Sequence, residues 1–74
     1  MDIPKIGNED EAFQAIESWK NDPLPKQLRF LRLAVESLDL GQMYYEQKDN
    51  QKGVERTARC IVILEERIQS LQKE

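Results

Sequence analysis

The apolar side chains of this 74-residue chain recur at spacings of three and four in three separate stretches. Such spacing places them on one face of an α-helix, because successive helical residues lie about 100° apart. No stretch alternates between apolar and polar residues as a half-buried strand does. The pattern predicts an all-α protein with a single domain. In it, a short helix packs on a long antiparallel helical hairpin, in a three-helix, bundle-like arrangement.

A short first helix is predicted at residues 9–20, after an arm at residues 1–8 that shows no period and should be loose. Asn8 and Glu11 are spaced as a helix N-cap and its reciprocal acid, and acidic side chains fill the first predicted turn. The apolar stripe that follows has the spacing i, i+3, i+4 and i+7. Its members are Ala12, Ala15, Ile16 and Trp19.

A long second helix is predicted at residues 23–47. Proline fits the first turn of a helix, where its missing N–H has no partner, so Asp22 is predicted to cap this helix ahead of Pro23. Two apolar stripes lie side by side on it. The first stripe consists of Leu24, Leu28, Leu31, Val35, Leu38, Gln42 and Tyr45. The second consists of Phe30, Leu33, Ser37, Leu40 and Tyr44, so this helix offers apolar surface to two neighbours.

The third helix is predicted at residues 50–72 and returns along the first stripe as the second arm of the hairpin. Residues 47–50 lack apolar side chains and carry Asp and Asn, which favour turns. The stripe of the third helix consists of Val54, Thr57, Ile61, Leu64, Ile68 and Leu71. Ile63, beside it, is expected to face solvent. We expect the hairpin core to contain Leu31, Val35, Leu38, Ile61 and Leu64.

The sequence offers little for catalysis. It contains no histidine, which removes the commonest general base and a frequent zinc ligand. Its three glycines are isolated, so the chain has no glycine-rich loop that could bind phosphate. Cys60 lies beside the stripe of the third helix and is expected to be a buried, redox-silent thiol. We therefore predict that the protein is not an enzyme and uses neither a cofactor nor a metal.

The charge balance bears on partners and location. Eleven basic and 14 acidic residues give a net charge of −3. Nucleic-acid binding usually rests on basic surface, so no nucleic-acid partner is expected. No apolar run is long enough to cross a bilayer, and the first residues do not resemble a signal peptide. A single cysteine agrees with a reducing compartment, so we expect a cytoplasmic protein with no membrane partner.

The clearest candidate site lies at the end of the hairpin that a short first helix should not reach. Leu40, Met43 and Tyr44 have too little neighbouring chain to bury them there, and aromatic and methionine side chains are favoured at interfaces. Lys52 and Arg56 share one face of the third helix near them. These five residues are predicted to bind an acidic partner helix. The alternatives are that the apolar residues close the hairpin core and that neighbouring acids neutralise the basic ones.

Part of the hairpin resembles a tetratricopeptide hairpin. The residues that carry this resemblance are Leu40-Gly41, Tyr44-Tyr45, Asp49, Gly53 and Cys60, within residues 34–67. Ser37 and Glu65 depart from it, because they stand where that family places tryptophan and proline. The resemblance implies that glycine lets the two helices approach closely.

A second resemblance is to the central helices of flagellin-type export chaperones, which are helical bundles that hold an amphipathic segment of a partner. It is carried by residues 28–34 together with Ala58, Ile61, Leu64 and Ser70-Leu71. The turn between the matching segments is displaced by about two helical turns relative to that family. Three-helix trafficking modules, which bind short helical tails, look similar as well. All three resemblances imply a protein-binding helical module.

We therefore predict a helical adaptor or small export-type chaperone that accepts an amphipathic partner helix. The alternative is a self-assembling structural protein, in which two hairpins join into a dimeric four-helix bundle. Both hypotheses use the surface at Leu40 and Tyr44. They differ in whether the occupant is another protein or a second copy of this chain.

Overall fold

The computed structural model describes residues 5–72, which form three α-helices. They are α1 (Glu9–Trp19), α2 (Leu24–Gln47) and α3 (Gln51–Gln72). Helices α2 and α3 form an antiparallel hairpin with the most extensive contact in the molecule, and α1 packs mainly against α3. The prediction of an all-α protein with a short helix on a long hairpin is confirmed.

The start of α1 is fixed by two side chains. The Glu11 N–H donates to Oδ1 of Asn8 at 2.9 Å, which satisfies one of the free donors of the first turn. The carboxylate of Glu11 accepts a hydrogen bond in return, from the Gly7 N–H at 2.6 Å. In a capping box this bond usually goes to the cap residue itself. Here it reaches one residue further back and ties the chain before the helix to the first turn.

The junction between α1 and α2 differs from its prediction. Pro23 is the N-cap of α2, and no side chain caps this helix, so the predicted Asp22 cap is wrong. The Pro23 carbonyl accepts from the N–H groups of Lys26 and Gln27, which places Asp22 outside the first turn. The buried Gln27 side chain instead donates to the carbonyls of Asp22 and Lys20, at 2.7 and 3.3 Å. The loop carbonyls are thereby satisfied from within α2.

The hairpin turn uses the polar residues that its sequence provides. Asp49 adopts a left-handed conformation with φ of 57°, which Asp tolerates better than most residues. Oδ1 of Asn50 accepts from the Gly53 N–H at 3.0 Å and so caps α3. The Thr57 hydroxyl donates to the Gly53 carbonyl at 2.7 Å, which leaves this buried side chain satisfied.

The core lies where the three helices meet. Its buried apolar members are Ala12, Ala15, Trp19, Phe30, Leu31, Ala34, Leu38, Cys60 and Leu64. Of the predicted hairpin core, Leu31, Leu38 and Leu64 are buried as expected. The other two predicted members, Val35 and Ile61, are half-buried and pack against the core from its margin.

Ile63 does not face solvent, so that prediction is wrong. It is half-buried and packs against the core. Its helical face is the one that α1 approaches, because Arg59, four residues earlier, forms an ion pair with Glu9 of α1 at 3.6 Å. Two buried alanines on α1, Ala12 and Ala15, let this helix come close to the hairpin.

The lengths of the helices leave half of one groove uncovered. The 11 residues of α1 span about 16 Å, whereas the 24 residues of α2 span about 36 Å. Trp19, at the end of α1, meets Phe30 near the start of α2 with ring centroids 5.5 Å apart. Helix α1 therefore covers the half of the hairpin that lies away from the turn.

The uncovered half is bordered by the segment before α1. The sequence predicts a loose arm there, yet Ile6 is half-buried and packs against the core. The Ile6 side chain lies beyond the start of α1, on the side of the hairpin turn, where it lines a cavity together with Gly41 and Tyr45. Residues 1–4 of the predicted arm lie outside the described part of the chain.

Candidate protein-binding groove

A groove runs between α2 and α3 from the first residues of α1 to the hairpin turn. We refer to it as the turn-end groove, and it encloses a cavity of about 440 Å³. It is lined by Lys5, Ile6 and Gly7 from the segment before α1, by Ala34, Ser37, Leu38, Gly41 and Tyr45 from α2, and by Arg56, Thr57 and Cys60 from α3. The segment before α1, helix α2 and helix α3 thus each contribute part of the groove wall.

Small side chains form the α2 side of the groove. Ala34, Ser37 and Gly41 follow one another at helical spacings of three and four, so they line one face of α2. A Cβ atom built on Gly41 would meet no neighbouring side chain or other helix within 4 Å. The groove is therefore open above Gly41, and a segment could approach the α2 backbone closely at this point.

The floor of the groove is apolar and shielded. Cys60 is 1% exposed and Leu38 is 9% exposed. Burial, with a smaller contribution from Glu9, raises the pKa of the Cys60 thiol above its ordinary value. Cys60 therefore stays protonated at neutral pH and contributes apolar surface rather than charge.

Aromatic rings close the groove at the turn. The Tyr45 ring packs directly on Gly53, where a Cβ atom would lie only 2.7 Å from the ring. The Arg56 guanidinium lies over the same ring, 6.0 Å from its centroid, in a cation–π contact. Tyr44 meets Tyr45 edge-on with centroids 5.8 Å apart, and Lys48 lies over the Tyr44 ring at 5.7 Å. The two tyrosines are thus held in place by α3 and by each other.

The charged residues that line the groove are basic. Lys5 and Arg56 are its two charged lining residues, in a chain whose net charge is −3. Lys52 is exposed and precedes Arg56 by one helical turn on the same face of α3. The groove therefore has a positive rim, which favours an acidic occupant.

The three predicted apolar binding residues are all exposed, but they do not share one face. Leu40 is 68% exposed, Tyr44 56% and Met43 54%. Relative to Gly41, Tyr44 lies about 60° around α2, Leu40 about 100° and Met43 about 160°. Tyr44 therefore stands at the rim of the groove, Leu40 on the outer wall, and Met43 almost opposite the groove.

Of the five predicted site residues, Arg56 lines the groove. Tyr44, Leu40 and Lys52 flank it, and Met43 lies away from it. The sequence-based prediction missed the α2 side of the groove at Ser37 and Gly41. A signal for it was present, because Ser37, a member of the second stripe, stands three and four residues from the small residues Ala34 and Gly41.

Leu33 extends the exposed surface along α2. It is 41% exposed and lies one heptad before Leu40, so Leu33, Leu40 and Tyr44 form a line that we refer to as the outer stripe. Residues 5–72 bring no three carboxylate or thiol side chains together in a way that could hold a metal ion. Within the same residues, no helix has both the length and the apolar character needed to cross a membrane.

Comparisons with protein-family models, with curated proteins and with solved structures gave no match for this chain.

Proposed function

We propose that this protein is a non-enzymatic helical binding module, an adaptor or a small export-type chaperone of the cytoplasm. It accepts an amphipathic helix of a partner protein in the turn-end groove. The observation that carries the proposal is the open space above Gly41 in an apolar groove that α1 is too short to cover. Exposed Leu40 and Tyr44 border that space and supply apolar contact area.

The dimensions of the groove suit a short helix. From Ala34 to Tyr45 the α2 wall extends about 17 Å, which corresponds to three helical turns. Helix α1 shows the packing that this hairpin accepts, because it lays small and large apolar residues at helical spacing over the other half. A partner helix with apolar residues at i, i+3, i+4 and i+7 would continue that packing toward the turn.

The basic rim indicates the charge of the partner. Lys5 and Arg56 line the groove, and Lys52 extends the positive surface along α3. An acidic face on the partner helix would meet the two α3 side chains, Lys52 and Arg56, at the solvent edge, where complementary charge steers association. Because exposed charge pairs are screened by salt, the affinity should fall as ionic strength rises.

Variant-dependent capture tests the proposal. Tagged protein is used to recover partners from native cell extract, and wild type is compared with the double variant Leu40→Ser, Tyr44→Ser. We expect the double variant to lose about tenfold or more in affinity, because a few buried side chains carry most of the energy of an interface. Far-ultraviolet circular dichroism should show unchanged helical content, since both side chains are exposed.

Two further variants sharpen the test. Gly41→Leu fills the groove from its α2 side without meeting a neighbouring side chain at its Cβ, so it should block binding in a stable protein. Met43→Ser is the matched control, because Met43 is equally exposed but lies on the far side of α2. Retained capture by the Gly41→Leu variant, or equal loss by Met43→Ser, would contradict docking in the groove.

The outer stripe supports a second candidate function. Leu33, Leu40 and Tyr44 are exposed along one side of α2, and such a stripe can pair with its copy in a second molecule. The protein would then be a self-assembling structural protein with a dimeric four-helix bundle. The molecular mass in solution separates this candidate from the adaptor.

A further inference from the structure

The segment formed by residues 5–7, which we refer to as the strap, lies along the turn-end groove. All three residues line the cavity, opposite the α2 and α3 walls. Ile6 is half-buried and packs against the core, and it is the apolar residue of the strap. The strap therefore occupies an edge of the site where the proposed partner helix would bind.

We infer that the strap is a removable cover that opens locally around Gly7, and that a partner helix binds by displacing it. The second part of this inference rests on the proposed function, whereas the first part does not. The strap adds a competing intramolecular ligand to the groove. The apparent affinity for a partner is then the intrinsic affinity multiplied by the fraction of molecules in which the strap is open.

The contacts of the strap indicate where it pivots. The Gly7 N–H is bonded to the Glu11 carboxylate, and the Asn8 side chain caps α1, so the chain is fixed from Gly7 onward. Before Gly7, the apolar contact of Ile6 holds the strap on the hairpin. A cavity of about 440 Å³ remains between the strap and the helices, so the strap packs against little of the groove surface. Among residues 5–7, the half-buried side chain is that of Ile6, and a segment held in this way should open at a free-energy cost far below that of global unfolding.

Cys60 provides a reporter of this opening. Its thiol is 1% exposed, and it lines the same cavity as Ile6. Because Ile6 packs against the core and lines the cavity together with Cys60, opening of the strap should increase the access of a soluble disulfide reagent to the thiol. The labelling rate of Cys60 therefore measures the population of the open state when the strap closes faster than the reagent reacts.

The experiment compares labelling rates by an aromatic disulfide reagent at neutral pH in the absence of denaturant. Ile6→Ser should raise the rate about five- to tenfold, because it removes the apolar contact that keeps the strap closed. Ile6→Val should give an intermediate rate. Leu24→Ser is the matched control, since Leu24 is also partly exposed but lies in the first turn of α2. It should change the rate less than about twofold.

A second control separates local opening from global unfolding. Val35→Ala removes apolar volume from a half-buried site about 120° around α2 from Gly41, and so it lowers global stability without touching the strap. It should leave the labelling rate unchanged, and low denaturant concentrations should barely affect the rate in wild type. A rate in Ile6→Ser close to that of wild type would overturn the inference. The inference would also be overturned if the labelling rate of the Val35→Ala variant rose in proportion to its loss of stability.

The capture assay then tests displacement separately. Ile6→Ser should bind a captured partner more tightly by the same factor by which its labelling rises. Faster labelling with unchanged partner affinity would overturn the displacement step and leave local opening in place. If no partner depends on Leu40, Tyr44 or Gly41, the proposed function fails, and the labelling result still decides whether the strap opens.

Discussion

Gly53 and Gly41 look alike in the sequence, but their surroundings differ. Both lie inside helices, where glycine costs about 1 kcal/mol relative to alanine. At Gly53 the Tyr45 ring occupies the place of a side chain, with three ring atoms within 3.0 Å of a Cβ position. These are atoms at the base of the ring, so the ring cannot avoid a methyl group by a small rotation. Gly41 faces open space.

The two glycine-to-alanine variants should therefore change stability in opposite directions. Gly53→Ala should lower the free energy of unfolding by about 1–2 kcal/mol, because the clash with Tyr45 outweighs the gain in helix propensity. Gly41→Ala should raise it by about 0.5–1 kcal/mol, because only the propensity gain operates there. Urea unfolding followed by circular dichroism measures both. A stabilising Gly53→Ala would show that the Tyr45 ring is not held on α3.

Sequence spacing could place each glycine in a helix, but not its distance from another helix. The resemblance to a tetratricopeptide hairpin implies that the helices approach closely at glycine. At Gly53, the Tyr45 ring of α2 does lie against the α3 backbone. Nothing in the spacing distinguished Gly53 from Gly41. The difference depends on which side chain of α2 reaches across the hairpin, and that is set by how α2 and α3 are rotated against each other.

The two faces of α2 show how far helical periodicity predicts burial within one element. The stripe with strict spacing contains Leu31 and Leu38, which are buried, as the spacing predicts. The neighbouring stripe begins with buried Phe30 and continues through the exposed Leu33, Leu40 and Tyr44. Periodicity finds an apolar face but does not say how much of its length a second helix covers. Here α1 packs mainly against α3 and meets this stripe at Phe30, whose ring contacts Trp19.

A matched pair of leucines on α2 tests this division. Leu38→Ala should cost about 2–3 kcal/mol, toward the lower end for a buried leucine because Leu38 also borders the groove cavity. Leu40→Ala should cost less than about 0.5 kcal/mol, because this side chain is exposed. The measurement is urea unfolding at equilibrium. A cost below half a kcal/mol for Leu38→Ala would mean that the hairpin is packed in another register.

The wrong predictions within elements have one cause in common. Ile63 lies among charged residues of the helical pattern, which predicts that it faces solvent, whereas α1 covers that face of α3. The Asp22 cap was expected from local sequence, but the loop carbonyls are satisfied by Gln27 from the second turn of the next helix. Both depend on how separate elements meet, which residue spacing within one element does not encode.

At the scale of the whole molecule, the exposed apolar area bears on the choice between an adaptor and a dimer. A stable interface buries about 800 Å² on each partner, and the total surface of the described residues is 5406 Å². A dimer would therefore need about 15% of the surface (800/5406). The three side chains of the outer stripe are each about half exposed and together offer roughly 300 Å². That area suits a small partner segment better than a second copy.

We therefore expect the protein to be a monomer in solution. Sedimentation equilibrium should give a mass near 8.7 kDa that does not change across about a hundredfold range of protein concentration. A mass that rises toward twice this value with concentration would favour the self-assembling alternative. The double variant Leu40→Ser, Tyr44→Ser then locates the contact. If the variant is monomeric where wild type is dimeric, the outer stripe is the dimer interface. An adaptor would then have to bind its partner in competition with a second copy of itself.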